Sequence, residues 1–185
     1  MIISLTGFMG CGKSSVGREL SRLLCCPFMD LDAVIEERAG RSIPEIFAAD
    51  GEAVFRQMEL EALQSLVGQM PLTHNWHRGQ ETACNEEDTL ILALGGGAVM
   101  TKECAEIVRE QTLCIYLKAS VETLLEHLSG GEAAGRPLLQ GDSLRKRIEN
   151  LMALRAETYE RTAHIIIDTD GRSIEGIAGI IKENI

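Results

Sequence analysis

The feature that most constrains the fold of this chain is a glycine-rich octapeptide near its start. Residues 7–14 read GFMGCGKS and match the pattern G-x-x-x-x-G-K-[ST]. The apolar run Ile2–Thr6 precedes them as a predicted strand, and Lys13–Leu24 follows as a predicted helix with apolar residues on one side. Such a turn points successive backbone N–H groups inward, and the start of the helix adds partial positive charge. The octapeptide therefore predicts a cradle for nucleotide phosphates.

The side chains of this loop suit the same task. The lysine at position 13 can reach the β- and γ-phosphate oxygens, and the Ser14 hydroxyl can ligate Mg²⁺. The predicted nucleotide-binding residues here are Gly10, Cys11, Gly12, Lys13, Ser14 and Ser15. The alternative is a strand–helix turn that is rich in glycine for structural reasons alone. That alternative explains less, because the motif, its position and its flanking elements agree.

Beyond the loop, short apolar runs alternate with helical patterns, which is typical of a parallel sheet covered by helices. Further strands are predicted at 27–30, 89–94, 112–117 and 164–168. Further helices are predicted at 33–39, 43–49, 52–66, 101–110, 120–128, 144–158 and 174–183. The expected fold class is α/β, a three-layer α/β/α sandwich with a five-stranded parallel sheet.

The pattern predicts one domain over residues 1–185 with two irregular segments. Residues 69–88 are polar and lack a period, so we interpret them as an exposed loop. Residues of about 129–142 are rich in glycine and alanine and carry Arg136, which is typical of a mobile lid. An arginine on such a lid can cover a γ-phosphate and exclude water, although exposed loop arginines are also common.

Composition narrows the class of partner and the compartment. Eighteen basic and 28 acidic residues give a formal net charge of −10, which disfavours a general nucleic-acid binder. No apolar run reaches the length of a membrane-spanning helix, and the N-terminus shows no basic leader, so we expect neither membrane insertion nor a signal peptide. The six cysteines lack metal or disulfide spacing, so we expect reduced thiols in a cytoplasmic protein.

Candidate acceptor-binding residues follow the second and third predicted strands, where open α/β sheets bind ligands. Alternation places Asp30 and Asp32 on the same side, where one carboxylate can hold Mg²⁺ through water and the other can bind an acceptor hydroxyl. The alternative is that Asp32 only caps the next helix. The glycines Gly95, Gly96 and Gly97 allow a ligand to approach the backbone, or form a plain turn.

One arginine on a predicted helix suits an anionic acceptor. Arg56 offers a forked donor for a carboxylate, and Glu59 three residues later can hold that fork in place. Spacing alone favours the alternative, an ordinary surface ion pair. Arg155 has Tyr159 one helical turn later.

A phosphate loop by itself does not separate small-molecule kinases from switches and motors. The Asn-Lys-x-Asp motif of GTPases is absent, and so is an apolar strand ending in Asp-Glu, which is typical of motor ATPases. A kinase of nucleoside-monophosphate-kinase size remains.

With these residues assembled, the chain resembles the shikimate kinases. The shared motifs are GFMGxGKS at 7–14, DLD at 30–32, FRxxE at 55–59, GGG at 95–97, RPLL at 136–139 and RxxxY at 155–159. They occur in family order over almost the entire chain. The resemblance implies a P-loop NTPase fold of the nucleoside-monophosphate-kinase type. It also implies transfer of the ATP γ-phosphoryl group to the 3-hydroxyl of shikimate.

The resemblance further assigns a role to each matching residue. Shikimate would be bound by Asp32, Arg56, Arg155 and the Gly95–Gly97 backbone, with Glu59 orienting Arg56. Ser14 would ligate Mg²⁺ directly and Asp30 through water. Lys13 and Arg136 would meet the ATP phosphates, and Arg172 would lie near adenine. Lys13, Asp32 and Arg136 are the expected catalytic residues, and the expected partners are ATP and shikimate, bound by a monomer.

Two features depart from the family pattern. The segment at 69–88 is longer than the usual connection, and His74, His77 and Cys84 within it are more typical of solvated loop residues than of a metal site. Cys11 stands where serine or alanine is common, and we expect its side chain to point away from the phosphates. The rival interpretations are another kinase on the same scaffold, such as a gluconate kinase, or a non-catalytic nucleotide-binding regulator.

Overall fold

The strands and helices follow the predicted alternation. The computed structural model describes residues 1–69, 89–129 and 144–185. Its strands are β1 (Ile2–Thr6), β2 (Phe28–Asp30), β3 (Leu90–Ala93), β4 (Leu113–Lys118) and β5 (Ile165–Asp168). Its helices are α1 (Lys13–Leu24), α2 (Leu31–Ala39), α3 (Ile43–Gln69), α4 (Lys102–Gln111), α5 (Val121–Leu128), α6 (Leu144–Thr162) and α7 (Ile174–Glu183). A short 3₁₀ helix, Ala98–Met100, precedes α4.

The strands form one sheet in the order β2-β3-β1-β4-β5, and every neighbouring pair is parallel. In the centre, Ile3 of β1 lies opposite Ile91 of β3 on one side and Leu113 of β4 on the other. After β1 the chain forms β2 and β3 on one side of β1, and it then forms β4 and β5 on the other side. The strand order therefore reverses at β1. A crevice beyond the carboxyl ends of the strands is the usual ligand site of such a sheet.

Helices cover both faces of this sheet. On one face, Ile3 and Leu5 of β1 pack with residues of α1 and α7, including Leu20 and Ile181. On the other face, side chains of β3 and β4 pack with α3 and α4; this cluster includes Leu92, Tyr116, Leu63 and Val108. Both clusters are almost fully buried. The predicted five-stranded parallel sheet in a three-layer sandwich is therefore confirmed.

The clearest local difference from prediction lies between β2 and α2. The sequence pattern predicted a strand over 27–30 and a helix from 33, but the helix begins at Leu31. The side chain of Asp30 accepts a hydrogen bond from the Asp32 backbone N–H and caps the helix. Aspartate is among the best residues for this position. The capping role considered for Asp32 thus belongs to Asp30.

Other boundaries agree to within a few residues. Helices α1 and α7 have the predicted bounds, whereas α6 continues to Thr162, four residues beyond the prediction. The helices predicted at 43–49 and 52–66 together form one element, α3. A single residue with non-helical backbone angles, Gly51, interrupts it.

The two irregular segments lie almost entirely outside the described residues, so the one-domain boundary, the lid and the exposed loop stay predictions. Across the ranges that the structure describes, none of the helices has both the length and the apolar character needed to cross a membrane.

Candidate active site

The glycine-rich loop connects β1 directly to α1, as the motif predicted. Gly12 immediately precedes α1 and has a φ of 91°, a left-handed conformation that glycine adopts without strain. The loop therefore turns sharply enough for α1 to begin at Lys13, with its first backbone N–H groups at the loop. Free N–H groups at a helix start attract anions.

Lys13 lies folded against this loop and is 8% exposed. Its Nζ donates to the carbonyl oxygens of Gly7 and Phe8, each at 2.9 Å, and lies 3.9 Å from Sγ of Cys11. Cys11 itself is buried beneath the loop. The ammonium group is thus positioned at the cradle in which phosphates are expected.

The two residues predicted to hold a metal ion are in direct contact. The Ser14 hydroxyl at the start of α1 donates to Oδ2 of Asp30 at the end of β2, with an O–O distance of 2.6 Å. Oδ1 of Asp30 accepts from the Asp32 N–H at 3.1 Å. The cap of α2 therefore also orients the Asp30 carboxylate toward the loop.

On the acceptor side, the glycine turn after β3 lies against two carboxylates. A Cβ atom at Gly95 would lie 2.6 Å from Oδ1 of Asp32 and 2.7 Å from Oε1 of Glu59. A Cβ at Gly97 would lie 2.6 Å from Nη2 of Arg56. Only glycine leaves room for these charged groups, so the turn and the side chains form one assembly.

Arg56 lies between two glutamates on α3. Its Nη1 donates to Oε2 of Glu59, and its Nη2 donates to Oε1 of Glu52 at 2.9 Å. The side chain of Glu59 is 1% exposed and that of Arg56 is 14% exposed. The pair is therefore buried, and the alternative of an ordinary surface ion pair is wrong.

Burial also controls the protonation of this pair. It raises the pKa of Glu59 to about 7, even though the Arg56 charge acts in the opposite direction. The nearby Asp32 charge raises the pKa further, and Oε1 of Glu59 has no hydrogen-bond partner within the part of the chain that the structure describes. Burial lowers the pKa of Arg56, but the charges of Glu59 and Glu52 and their hydrogen bonds raise it above its usual value.

Arg155 reaches the same glycine turn from α6. It is 7% exposed, and its Nη1 donates to the Gly96 carbonyl oxygen at 3.3 Å. The Tyr159 hydroxyl, one helical turn later, donates to the same oxygen. The Tyr159 ring stacks on Tyr116 of β4 with centroids 5.2 Å apart. The tyrosine thus fixes the turn that Arg155 contacts.

A cleft of about 810 Å³ joins the loop to the acceptor side. Its lining includes Lys13, Ser14, Asp30, Asp32, Gly96 and Arg172. The last of these follows β5, where it was predicted to lie near adenine. Of the predicted acceptor residues, Asp32 and Gly96 line this cleft, whereas Arg56, Glu59 and Arg155 lie against the glycine turn and are not part of the cleft lining. Arg136 and the loop residues His74, His77 and Cys84 lie outside the described residues.

Comparison with known proteins decides the family. The family model described as shikimate kinase matches residues 9–72 and 77–185. The chain belongs to the shikimate kinase family. A shikimate kinase of Thermus thermophilus is 42% identical over 99% of this chain and 89% of its own length, and that of Salinibacter ruber is 39% identical over 99% and 83%.

Solved structures agree with the sequence relatives. A shikimate kinase from Acinetobacter baumannii, in complex with shikimate, has a TM-score of 0.84 and 31% identity, covering 99% of this chain and 91% of that one. The Aquifex aeolicus shikimate kinase has a TM-score of 0.74 and 30% identity, covering 100% and 95%. These findings confirm the predicted P-loop NTPase fold. They also confirm the predicted enzyme class, an ATP-dependent kinase of the shikimate kinase family.

Two residues at this shikimate kinase site had no predicted role. Glu52 holds Arg56 from the solvent side, and Tyr159 holds the Gly96 carbonyl. A signal for the glutamate was present, because it precedes Arg56 by four residues and such residues share a helix face. For the tyrosine, only the tertiary structure reveals the partner.

Proposed function

We propose that this protein transfers the γ-phosphoryl group of ATP to the 3-hydroxyl of shikimate, giving shikimate 3-phosphate and ADP. The observation that carries the proposal is a cleft that runs from the phosphate loop to Asp32 and Gly96, where the glycine turn also lies against Arg56, Glu59 and Arg155. Such a set suits a hydroxylated ring carboxylate. The arginines can donate to its carboxylate, and the protein carboxylates can accept from its hydroxyl groups.

On the donor side, we infer that the backbone of Gly10–Ser15 holds the ATP phosphates and that Lys13 neutralises their oxygens. Two observations support this inference. Helix α1 begins at the end of the loop, and Nζ of Lys13 donates to the Gly7 carbonyl oxygen within the loop. Arg172 lines the same cleft, and we propose that it lies beside adenine. Arg136 would add a second positive charge from the lid predicted at about 129–142.

The residues present suit a magnesium ion. A hydroxyl and a carboxylate oxygen, the donor types that Mg²⁺ prefers, lie 2.6 Å apart at Ser14 and Asp30 beside the phosphate cradle. Ser14 would hold the ion directly and Asp30 through water. When bound with ATP, Mg²⁺ supplies neutralisation of phosphate charge. Protein sites for this ion commonly offer only one or two ligands, and the phosphates provide more.

On the acceptor side, we propose that Arg56 and Arg155 bind the carboxylate and that Asp32 binds the acceptor hydroxyl groups. The three side chains contact successive residues of one turn, Gly95–Gly97. Glu59 would keep Arg56 in place, because its carboxylate is buried and bonded to Nη1. The turn backbone would complete the acceptor pocket.

In the chemical step, the 3-hydroxyl oxygen forms a bond to the γ-phosphorus while the bond from that phosphorus to the β–γ bridging oxygen breaks. ADP leaves with the electron pair, and the hydroxyl proton passes to Asp32 or to solvent. A loose transition state makes positioning and charge neutralisation the main contributions. Good orientation alone is worth about 7–11 kcal/mol. Lys13 and Arg136 act on the phosphate oxygens, and Asp32 directs the hydroxyl.

We also propose a cytoplasmic monomer that acts without a membrane or nucleic acid. The described cysteines are free thiols, four of them buried, which agrees with a reducing compartment. Donor and acceptor residues come from one chain, so the site needs no second copy. Light scattering of the purified protein tests this; a dimer at micromolar concentration would contradict it.

A coupled ADP-release assay tests the reaction. It uses Mg-ATP with shikimate, quinate, gluconate and nucleoside monophosphates as separate acceptors. We expect turnover with shikimate to exceed turnover with each other acceptor by at least about 100-fold, because a missing charged partner costs about 1.5–3 kcal/mol and several partners differ. Preference for gluconate would indicate another kinase on the same scaffold. Nucleotide binding without any turnover would indicate a regulator.

A further inference from the structure

The outward side of Arg56 is already bonded to a carboxylate. Oε1 of Glu52 accepts from Nη2 at 2.9 Å and from Nε at 3.3 Å. Two neighbouring nitrogens of one guanidinium are the donors that a substrate carboxylate would use. Glu52 therefore makes the contacts that the acceptor itself is proposed to make.

The two glutamates that hold Arg56 differ sharply in their surroundings. Glu59 is 1% exposed and bonds Nη1, whereas Glu52 is 51% exposed and bonds Nη2 and Nε. Releasing a buried carboxylate from its partner leaves a desolvated charge, which is costly. An exposed carboxylate is resolvated on release, and such surface pairs contribute little. The outer bond is the one that can exchange.

The position of this outer bond coincides with the acceptor pocket. A Cβ at Gly97 would lie 2.6 Å from Nη2 and 2.8 Å from Nη1, so both terminal nitrogens of Arg56, including the one that Glu52 holds, lie against the glycine turn. Arg155 contacts the same turn at Gly96. A carboxylate placed between the two arginines must compete with Glu52 for Nη2.

The local backbone should allow the Glu52 side chain to release Arg56 with little loss of stability. It follows Gly51, the one non-helical residue within α3, and therefore begins the second part of that helix. A Cβ at Gly51 would have no heavy atom within 4 Å, so the break lies in open space. An acidic side chain in the first turn of a helix is favoured there even without an ion pair.

We propose that Glu52 is an internal competitor for the acceptor carboxylate: it holds Arg56 in the free enzyme and is displaced when the acceptor binds. The inference rests on the proposed function. Glu52 lowers the affinity for the acceptor and keeps Arg56 extended until the carboxylate arrives. Glu52 is therefore a specificity-determining residue. Only a ligand whose carboxylate replaces that of Glu52 restores the two hydrogen bonds from Nη2 and Nε of Arg56.

The test compares Glu52→Gln and Glu52→Ala with the parent in shikimate titrations. Loss of the competitor should lower KM for shikimate about two- to fivefold, the ratio that corresponds to a typical exposed ion pair. KM for ATP and kcat should stay within twofold. Glu61→Gln is the matched control, since it removes the same charge from α3 at an exposed residue bonded to Gln57.

An acceptor without a carboxylate charge makes the test specific. With shikimate methyl ester, the two Glu52 variants should show the same KM as the parent, because no carboxylate competes for Arg56. An equal gain with ester and acid would overturn the proposal, and so would an unchanged or increased shikimate KM in variants that melt at the parent temperature. Absence of shikimate turnover in the parent would instead reject the proposed function and this inference with it.

Discussion

The two halves of the cleft are built in different ways. The core of the proposed donor half consists of consecutive residues, Gly7–Ser15, which include the loop before α1 and Lys13 folded against it. The acceptor half takes single side chains from α2, α3 and α6 and places them around the turn after β3. The first half is a property of one loop, whereas the second exists only when four parts of the fold meet.

Charge burial separates the halves further. The acceptor half buries Arg155 and the Arg56–Glu59 pair, and each charge depends on its neighbours because isolated buried charges are costly. Lys13 in the donor half is satisfied by two backbone carbonyls. Substitutions in the donor half should therefore change the chemical step, and those in the acceptor half should change acceptor binding and stability.

The largest effect should come from Lys13→Met. Removing a positive charge from the phosphate oxygens should lower kcat about 100- to 1,000-fold, the usual cost of one such group in the transition state. The domain should stay folded, because the neighbouring core residues are unchanged. Steady-state ADP release and circular dichroism measure the two properties. Normal turnover in a folded variant would mean that the phosphate site lies elsewhere.

Next in size is Arg56→Ala. Loss of a charged partner should raise KM for shikimate about tenfold to a hundredfold while ATP binding persists. Calorimetric titration of ATP and initial rates at varied shikimate measure this. Arg38→Ala is the control, because Arg38 is exposed on α2 and donates to the Ser65 hydroxyl, away from the glycine turn. Equal kinetics toward shikimate in both variants would remove the arginine from the acceptor site.

Gly97→Ala tests whether the turn and the arginine form one unit. The residue has a φ of −121°, which alanine adopts freely, so any effect comes from the Cβ and not from backbone strain. That Cβ would displace the Arg56 guanidinium, and we expect shikimate KM to rise about tenfold. Gly68→Ala, which meets no atom within 4 Å, should leave KM unchanged. Similar KM values in both variants would separate the turn from the arginine.

The smallest effect concerns pH. Because burial raises the pKa of Glu59 from 4.5 to about 7, the folded chain retains a proton in this range that the unfolded chain has released. The free energy of unfolding should therefore fall as pH rises from 4.5 to 7. Urea unfolding of Glu59→Gln should show a weaker fall than the parent, and Glu61→Gln should match the parent. If the free energy of unfolding fell more steeply with pH in Glu59→Gln than in the parent, the pKa of Glu59 in the folded parent would lie below its ordinary value.

Much of the fold could be predicted from local patterns. The alternation of apolar runs and helical periods identified all strands of the described sheet, and the bounds of α1 and α7 are as predicted. The exact start of α2 could not be predicted, because Asp30 and Asp32 are both good caps and the local sequence does not choose between them. Candidate roles for Lys13, Ser14, Asp32 and Arg56 came from the residues themselves, whereas shikimate as the acceptor and the role of Arg155 came from the resemblance to the family.

The phosphate cradle was determined by the sequence alone, since its residues are contiguous and both the turn and the helix start depend on local backbone geometry. The burial of the Arg56–Glu59 pair was decided by tertiary structure. Spacing on α3 is the same for a surface pair and a buried one, and the difference arises because the glycine turn after β3 lies against the Arg56 and Glu59 side chains. Desolvation by distant parts of the chain thus converts an ordinary helix pair into half of an acceptor site.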